Sequence, residues 1–240
     1  MAEYRTADTG RVGAGVSAID EGLRAHMNKV YGTMAVGVAL TGLVAWAVGT
    51  NEALVQAIWG SGLKWVVIFA PLAIVFAFGA MLNRMSAATA QLVFYAYAAL
   101  MGLSISSIFV AYTGVSIAQT FFISAAAFAG LSLYGYTTKR DLSPIGAFLL
   151  MGLIGLIIAS LVNLFLGSPA ISFAISVAGV LIFACLTAFD TQTIKAEYVG
   201  HAQVGDAEWL GKAAIMGALK LYLDFLNLFM MLMQFFGDRR

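Results

Sequence analysis

Charge is what this sequence has least of. Asp, Glu, Lys and Arg make up 10% of its 240 residues, while 61% are hydrophobic. Soluble domains average about 25% charged, so the composition argues against a soluble globule. The net charge is +1 and no basic block occurs, so nucleic acid is not an expected partner. The single cysteine, Cys185, allows no internal disulfide and reads as a small apolar filler. The two histidines, His26 and His201, lie in separate polar segments with no ligand spacing between them. They read as solvated side chains rather than metal ligands. G-x-S-x-G, H-E-x-x-H and a phosphate-cradling glycine loop are all missing, so neither an enzyme nor a cofactor is expected. The first 29 residues lack an early apolar core and do not form a cleaved secretory signal.

What the chain has instead is long charge-free runs. Val30–Asn51, Trp65–Asn83, Met85–Thr138 and Leu142–Phe189 contain no charged residue. About 20 apolar residues cross a bilayer, so the two longest runs are two spans each. With the last hydrophobic segment, Trp209–Phe236, the total is seven. The fold class is an all-α integral membrane protein, with a polar N-terminal tail over 1–29 and a seven-helix transmembrane domain over 30–237. All three prolines have a place in this scheme. Pro71 falls inside span two and should kink it. Ser143-Pro144 and Ser168-Pro169 read as N-caps followed by a first-turn proline, opening spans five and six. Span three is expected over about 87–112, span four over 115–136.

The last segment carries Lys220 and Asp224 near its middle and Asn227 a turn later. A charge at the centre of a span costs roughly 2.5–3.5 kcal/mol on insertion scales, so it should face protein or water. Gly217, Lys220, Asp224, Asn227 and Met231 share one helical face. No Gly or Pro stops a helix between Val180 and Val199, so span six runs past Asp190 to about Tyr198. Counting inward along the two antiparallel helices sets Asp190 and Asp224 at similar depth.

Lys and Arg set the orientation. With the N-terminus inside, nine of them collect on the inner side, three on the outer side, and Lys220 is embedded. The positive-inside rule therefore favours a cytoplasmic N-terminus and an outer C-terminus, and seven spans without a targeting segment suit a plasma (inner) membrane. Arg239-Arg240 argues against the last point, which a final segment that re-enters and returns would satisfy.

AFDTQTIK at 188–195 and LYLDFLNLF at 221–229 resemble the two signature segments of the Bax inhibitor-1 family, whose pattern fits over about residues 20–237. The resemblance implies two three-helix layers around a central C-terminal helix. It also implies a pH-sensitive Ca²⁺ leak gated by an aspartate pair, here Asp190 and Asp224, which would also lie on the Ca²⁺ path. Arg84, at the end of span two, matches an arginine that can latch onto the first aspartate. Ca²⁺ is then a transported ion, and the bilayer, a cation and a membrane protein are the implied partners. Physics supports the pair separately. Two carboxylates in a poorly hydrated interior cannot both be charged cheaply and titrate as one unit. A deprotonated pair repels itself or binds a hard cation through oxygen.

Plainer readings stand beside these. Asp224 could form an ion pair with Lys220, four residues away. Asp190 could be a solvated acid at the inner boundary, and Arg84 a positive-inside anchor. Thr191, Gln192 and Asn227 read as helix–helix hydrogen bonders. Glu197, Asp206 and Glu208 read as a solvated mixed-charge loop with Lys195 and Lys212. The alternative function is a membrane interaction protein that modulates a partner such as a quality-control protease, with the N-terminal tail as its handle. An intramembrane aspartyl protease is disfavoured, because neither Gly-Leu-Gly-Asp nor Tyr-Asp occurs.

Overall fold

The computed structural model describes residues 4–201 and 206–240, with side chains from residue 19 onward except at position 83. The helices are α1 (Tyr4–Gly49), α2 (Glu52–Trp59), α3 (Leu63–Met81), α4 (Ala87–Ile105), α5 (Ile108–Ala111), α6 (Gly114–Thr137), α7 (Ser143–Leu166), α8 (Pro169–His201) and α9 (Ala207–Phe236). Among the described residues, seven hydrophobic segments are long and apolar enough to cross a membrane, α4 and α5 together making one of them.

The layers follow from which helices touch. α1, α4 and α3 form one, and α6, α8 and α7 the other, with α3 and α7 on the flanks. α9 lies between them and packs on α8, α1, α6 and α4. Close approach needs small residues where helices meet. At Gly135 a Cβ would collide with the Ala188 carbonyl oxygen, so only glycine lets α6 lie this close to α8. Tyr222, fully buried on α9, ties the central helix to the α1–α4 layer: its hydroxyl bonds Thr41 Oγ1 at 2.6 Å, and Thr41 donates to the Ala98 carbonyl at 2.7 Å.

Several local expectations need correction. α1 is one helix from Tyr4, and Leu23, His26 and Met27 are buried against the bundle. Hence His26 is no solvated loop residue; its ring lies 4.9 Å from that of Tyr198. Apolar residues four apart at 19, 23 and 27 extend the buried stripe into a segment whose charges all face outward. Most of the tail suggested as a partner handle, residues 2–20, has side chains outside the described set.

Span three is not one helix either. It breaks at Ser106-Ser107, where Ser106 Oγ bonds the Leu103 carbonyl at 2.7 Å and the backbone turns through i→i+3 bonds. Serine side chains compete in this way for helical carbonyls. At α7 the cap shifts by one residue: Leu142 is the N-cap, and Asp141 accepts the Ser143 N–H at 2.9 Å. Ser168 does cap α8, accepting the Ile171 N–H at 3.4 Å. α3 runs through Pro71, which is buried. Cys185 is exposed on α8 and fills no core space.

The C-terminus has a definite end of the bundle. α9 is uninterrupted, and residues 238–240 are pinned to the α5–α6 connection. Thr113 N–H donates to the Asp238 carbonyl at 2.9 Å, Arg240 N–H donates to the Ala111 carbonyl at 3.1 Å, and Arg239 lies over the Tyr112 ring. The tail therefore sits with the span three–four connection, and the re-entrant alternative is ruled out.

Candidate functional site

The face of α9 picked out by its polar residues is the face that meets α8. Gly217 lies against Ile194, and Met231 against Gly179. Between these apolar contacts are two polar rungs. Lys220 Nζ reaches Glu197 Oε1 at 3.4 Å, and the Asp224 carboxyl lies within hydrogen-bonding reach of the Asp190 carboxyl.

Each aspartate is placed by its neighbours in sequence. Thr191 is fully buried and its hydroxyl meets Ser132 on α6 at 2.9 Å; Ser132 in turn bonds Tyr31 on α1 at 2.7 Å. Gln192 clamps the α6–α7 connection at both ends of its amide, accepting the Leu142 N–H and donating to the Arg140 carbonyl, each at 2.8 Å. These two residues hold the α8 turn that carries Asp190. Asp224 is held by the apolar packing of α9: Leu221, Tyr222, Phe225 and Leu226 around it are all buried. Asp224 itself is 4% exposed, and its Oδ2 is buried without a hydrogen-bond partner.

This geometry has chemical content. An ionised carboxylate only accepts hydrogen bonds. Two ionised carboxylates facing each other out of water repel. The Lys220 amine is bonded to Glu197 and not to Asp224. The plain reading of Asp224 as the partner of Lys220 is therefore not what the structure has. Asp190, partly buried, is not a fully wetted acid. Arg84 closes a short 3-10 turn after α3, exposed at the end of the bundle towards which α8 runs. It takes part in neither ion pair found among the described residues, Lys220–Glu197 and Lys212–Glu208. No group of three or more metal-ligating side chains occurs among the described residues. Asn227 bonds the Leu223 carbonyl on its own helix, at 2.9 Å, not a neighbouring one.

Sequence reasoning missed Glu197, which it assigned to a solvated loop. The signal was available: Glu197 lies seven residues, two turns, beyond Asp190 on a helix already expected to run that far. It also missed that Glu208 reaches across to accept the Ala87 N–H at the start of α4, at 2.7 Å. On the connection beyond Gln192, Asp141 is the loop acid with a defined role. The Ser143 N–H and hydroxyl hold its carboxyl below the usual range.

With the pair and its supports described, the likeness to known proteins becomes informative. The family model described as Inhibitor of apoptosis-promoting Bax1 matches residues 23–240. An uncharacterized protein of Rickettsia prowazekii is 49% identical over 223 residues, covering 92% of each chain. The inner membrane protein YbhL of Escherichia coli is 46% identical over 220 residues, 91% of this chain and 94% of that one. An uncharacterized protein of Caulobacter vibrioides is 44% identical over 232 residues, 93% and 92% of the two. Both matched motifs, and the helix pair that carries them, lie inside the matched region. This chain belongs to the Bax inhibitor-1 family of membrane proteins.

Proposed function

We propose that the protein is a pH-sensitive cation leak of the plasma membrane, with Ca²⁺ as the favoured ion, gated by protonation of Asp190 and Asp224. The observation that carries this reading is a pair of aspartates facing each other across the α8–α9 interface, one of them with a buried oxygen that has no hydrogen-bond partner among the described residues. A shared proton would satisfy that oxygen and hold the two helices together. Without it, two negative charges in a site of low polarisability repel, and the interface loosens or takes up a cation. Ca²⁺ takes 6–8 oxygen ligands. Two carboxylates supply at most four, which suits an ion passing through rather than one stored.

Arg84 supplies the latch in this reading. Engaging Asp190 as the pair separates, it would compensate that charge and compete with the cation. The proposed orientation puts Arg84 and the N-terminus on the cytoplasmic side, from the distribution of Lys and Arg. The name of the E. coli relative supports the inner membrane.

The test is Ca²⁺ entry into proteoliposomes that enclose an indicator, measured across a pH series. Asp190→Asn and Asp224→Asn each remove the titrating group at constant shape and should flatten the pH response. An unchanged profile in both variants rejects the mechanism.

A further inference from the structure

α1 and α6 flank α9 on one side of the bundle but hardly meet each other. Among the described residues the one side-chain hydrogen bond across this seam is Tyr31–Ser132. From that strut toward the C-terminal end of α9 lies a cavity of about 430 Å³, within the range of about 300–1,000 Å³ typical of ligand sites. Trp46 of α1 and Ala118 and Phe122 of α6 form its walls, and Phe225 and Phe229 of α9 its floor. Trp46 and Phe122 are 58% and 71% exposed, so the cavity opens sideways toward lipid. Gly42 and Gly114 also line it, and a Cβ at either would meet nothing within 4 Å. Helix packing does not require glycine at these two positions; their missing side chains keep the groove open.

The mouth is polar, lined by Thr50 and Arg240. Arg239 lies alongside over Tyr112, and Asp238 is the acid of the same tail. Neither arginine is in an ion pair among the described residues. An occupant must therefore be apolar and slender along most of its length, anionic at one end, and supplied by the bilayer. We propose that this groove is a lipid site: it takes one acyl chain of an anionic phospholipid, whose phosphate meets Arg240 at the membrane edge. A basic residue near an anionic lipid surface contributes about 1 kcal/mol, or about a fivefold preference. The floor continues from Asp224 along α9, so an occupied groove would press on the helix that carries it.

The test needs no ion flux. The full-length protein in detergent is titrated with phosphatidylglycerol or phosphatidylcholine, and the fraction retaining one lipid is read by native mass spectrometry. Phosphatidylglycerol should be retained about fivefold more at equal concentration. Arg240→Gln should bring the two lipids to parity. Gly42→Leu and Ala118→Leu each fill the groove from open space, without a clash in the core, and should lower retention of both lipids. Equal retention of the two lipids by the unaltered protein overturns the proposal. So does a phosphatidylglycerol preference that survives Arg240→Gln, or wild-type retention in both filled variants.

Discussion

α7 exposes its side chains to lipid, whereas α9 is wrapped by four other helices. The difference runs against their hydropathy. Over its best window α7 has a mean hydropathy of 2.6 and is 11% buried, while α9 has 1.5 and is 67% buried. In water the more apolar helix would go inside. In a bilayer the lipid tails are as apolar as leucine, so apolarity gives no preference for the interior. What sends a helix inward is polar groups that need protein partners and small residues that let backbones approach. α9 has Lys220, Asp224 and Asn227 along its length, with Gly211 and Gly217 buried. α7 carries Phe148, Leu150 and Leu161, all more than half exposed, and keeps Asn163 for its final turn, where the side chain bonds Ser172.

If this contrast is real, matched substitutions in the two helices should differ. The largest expected difference comes from overfilling. Gly217→Leu would drive a branched side chain into Ile194, whose atoms stand 3.1–3.2 Å from a Cβ at that position. The cost should approach about 3 kcal/mol, and the displacement falls one turn from Asp190. Gly155→Leu in α7, where a Cβ meets nothing within 4 Å, should stay within about 0.5 kcal/mol of the parent. Thermal unfolding in micelles compares them, and equal losses would erase the distinction.

Truncation should give the next largest effect. Leu228 is 1% exposed in α9 and Leu161 is 57% exposed in α7. Leu228→Ala should cost about 2 kcal/mol through lost packing, and Leu161→Ala about 0.5 kcal/mol or less, read from denaturant midpoints. The smallest effect isolates one hydrogen bond. Tyr222→Phe removes the 2.6 Å contact with Thr41. Interhelical bonds in membranes average about 0.6 kcal/mol, so a loss far above that would mean Tyr222 does more than join α9 to α1.

Much of the architecture could be read before any coordinates. Charge-free runs marked the spans, and the proline pairs marked the openings of α7 and α8. The polar positions of α9 marked the side that faces α8. The break at Ser106 is local to α4, where the hydroxyl bonds a carbonyl of its own helix. The burial of His26 and the Lys220–Glu197 rung both depend on a second element arriving at the right height. Arg84 shows the same limit from the other direction. Its position after α3 was clear, yet the structure leaves it exposed and outside both ion pairs.

Composition and periodicity alone settle that this is a membrane bundle, how many times it crosses, and that its last helix must be shielded. Those are properties of single segments against a uniform solvent, and insertion energies add along one helix at a time. Which carboxyl meets which, where Lys220 turns its amine, and the open seam between α1 and α6 follow from how separate helices seat against each other. That seating depends on side-chain volumes at contacts far apart in the chain, such as Gly135 on Ala188, which no local pattern records.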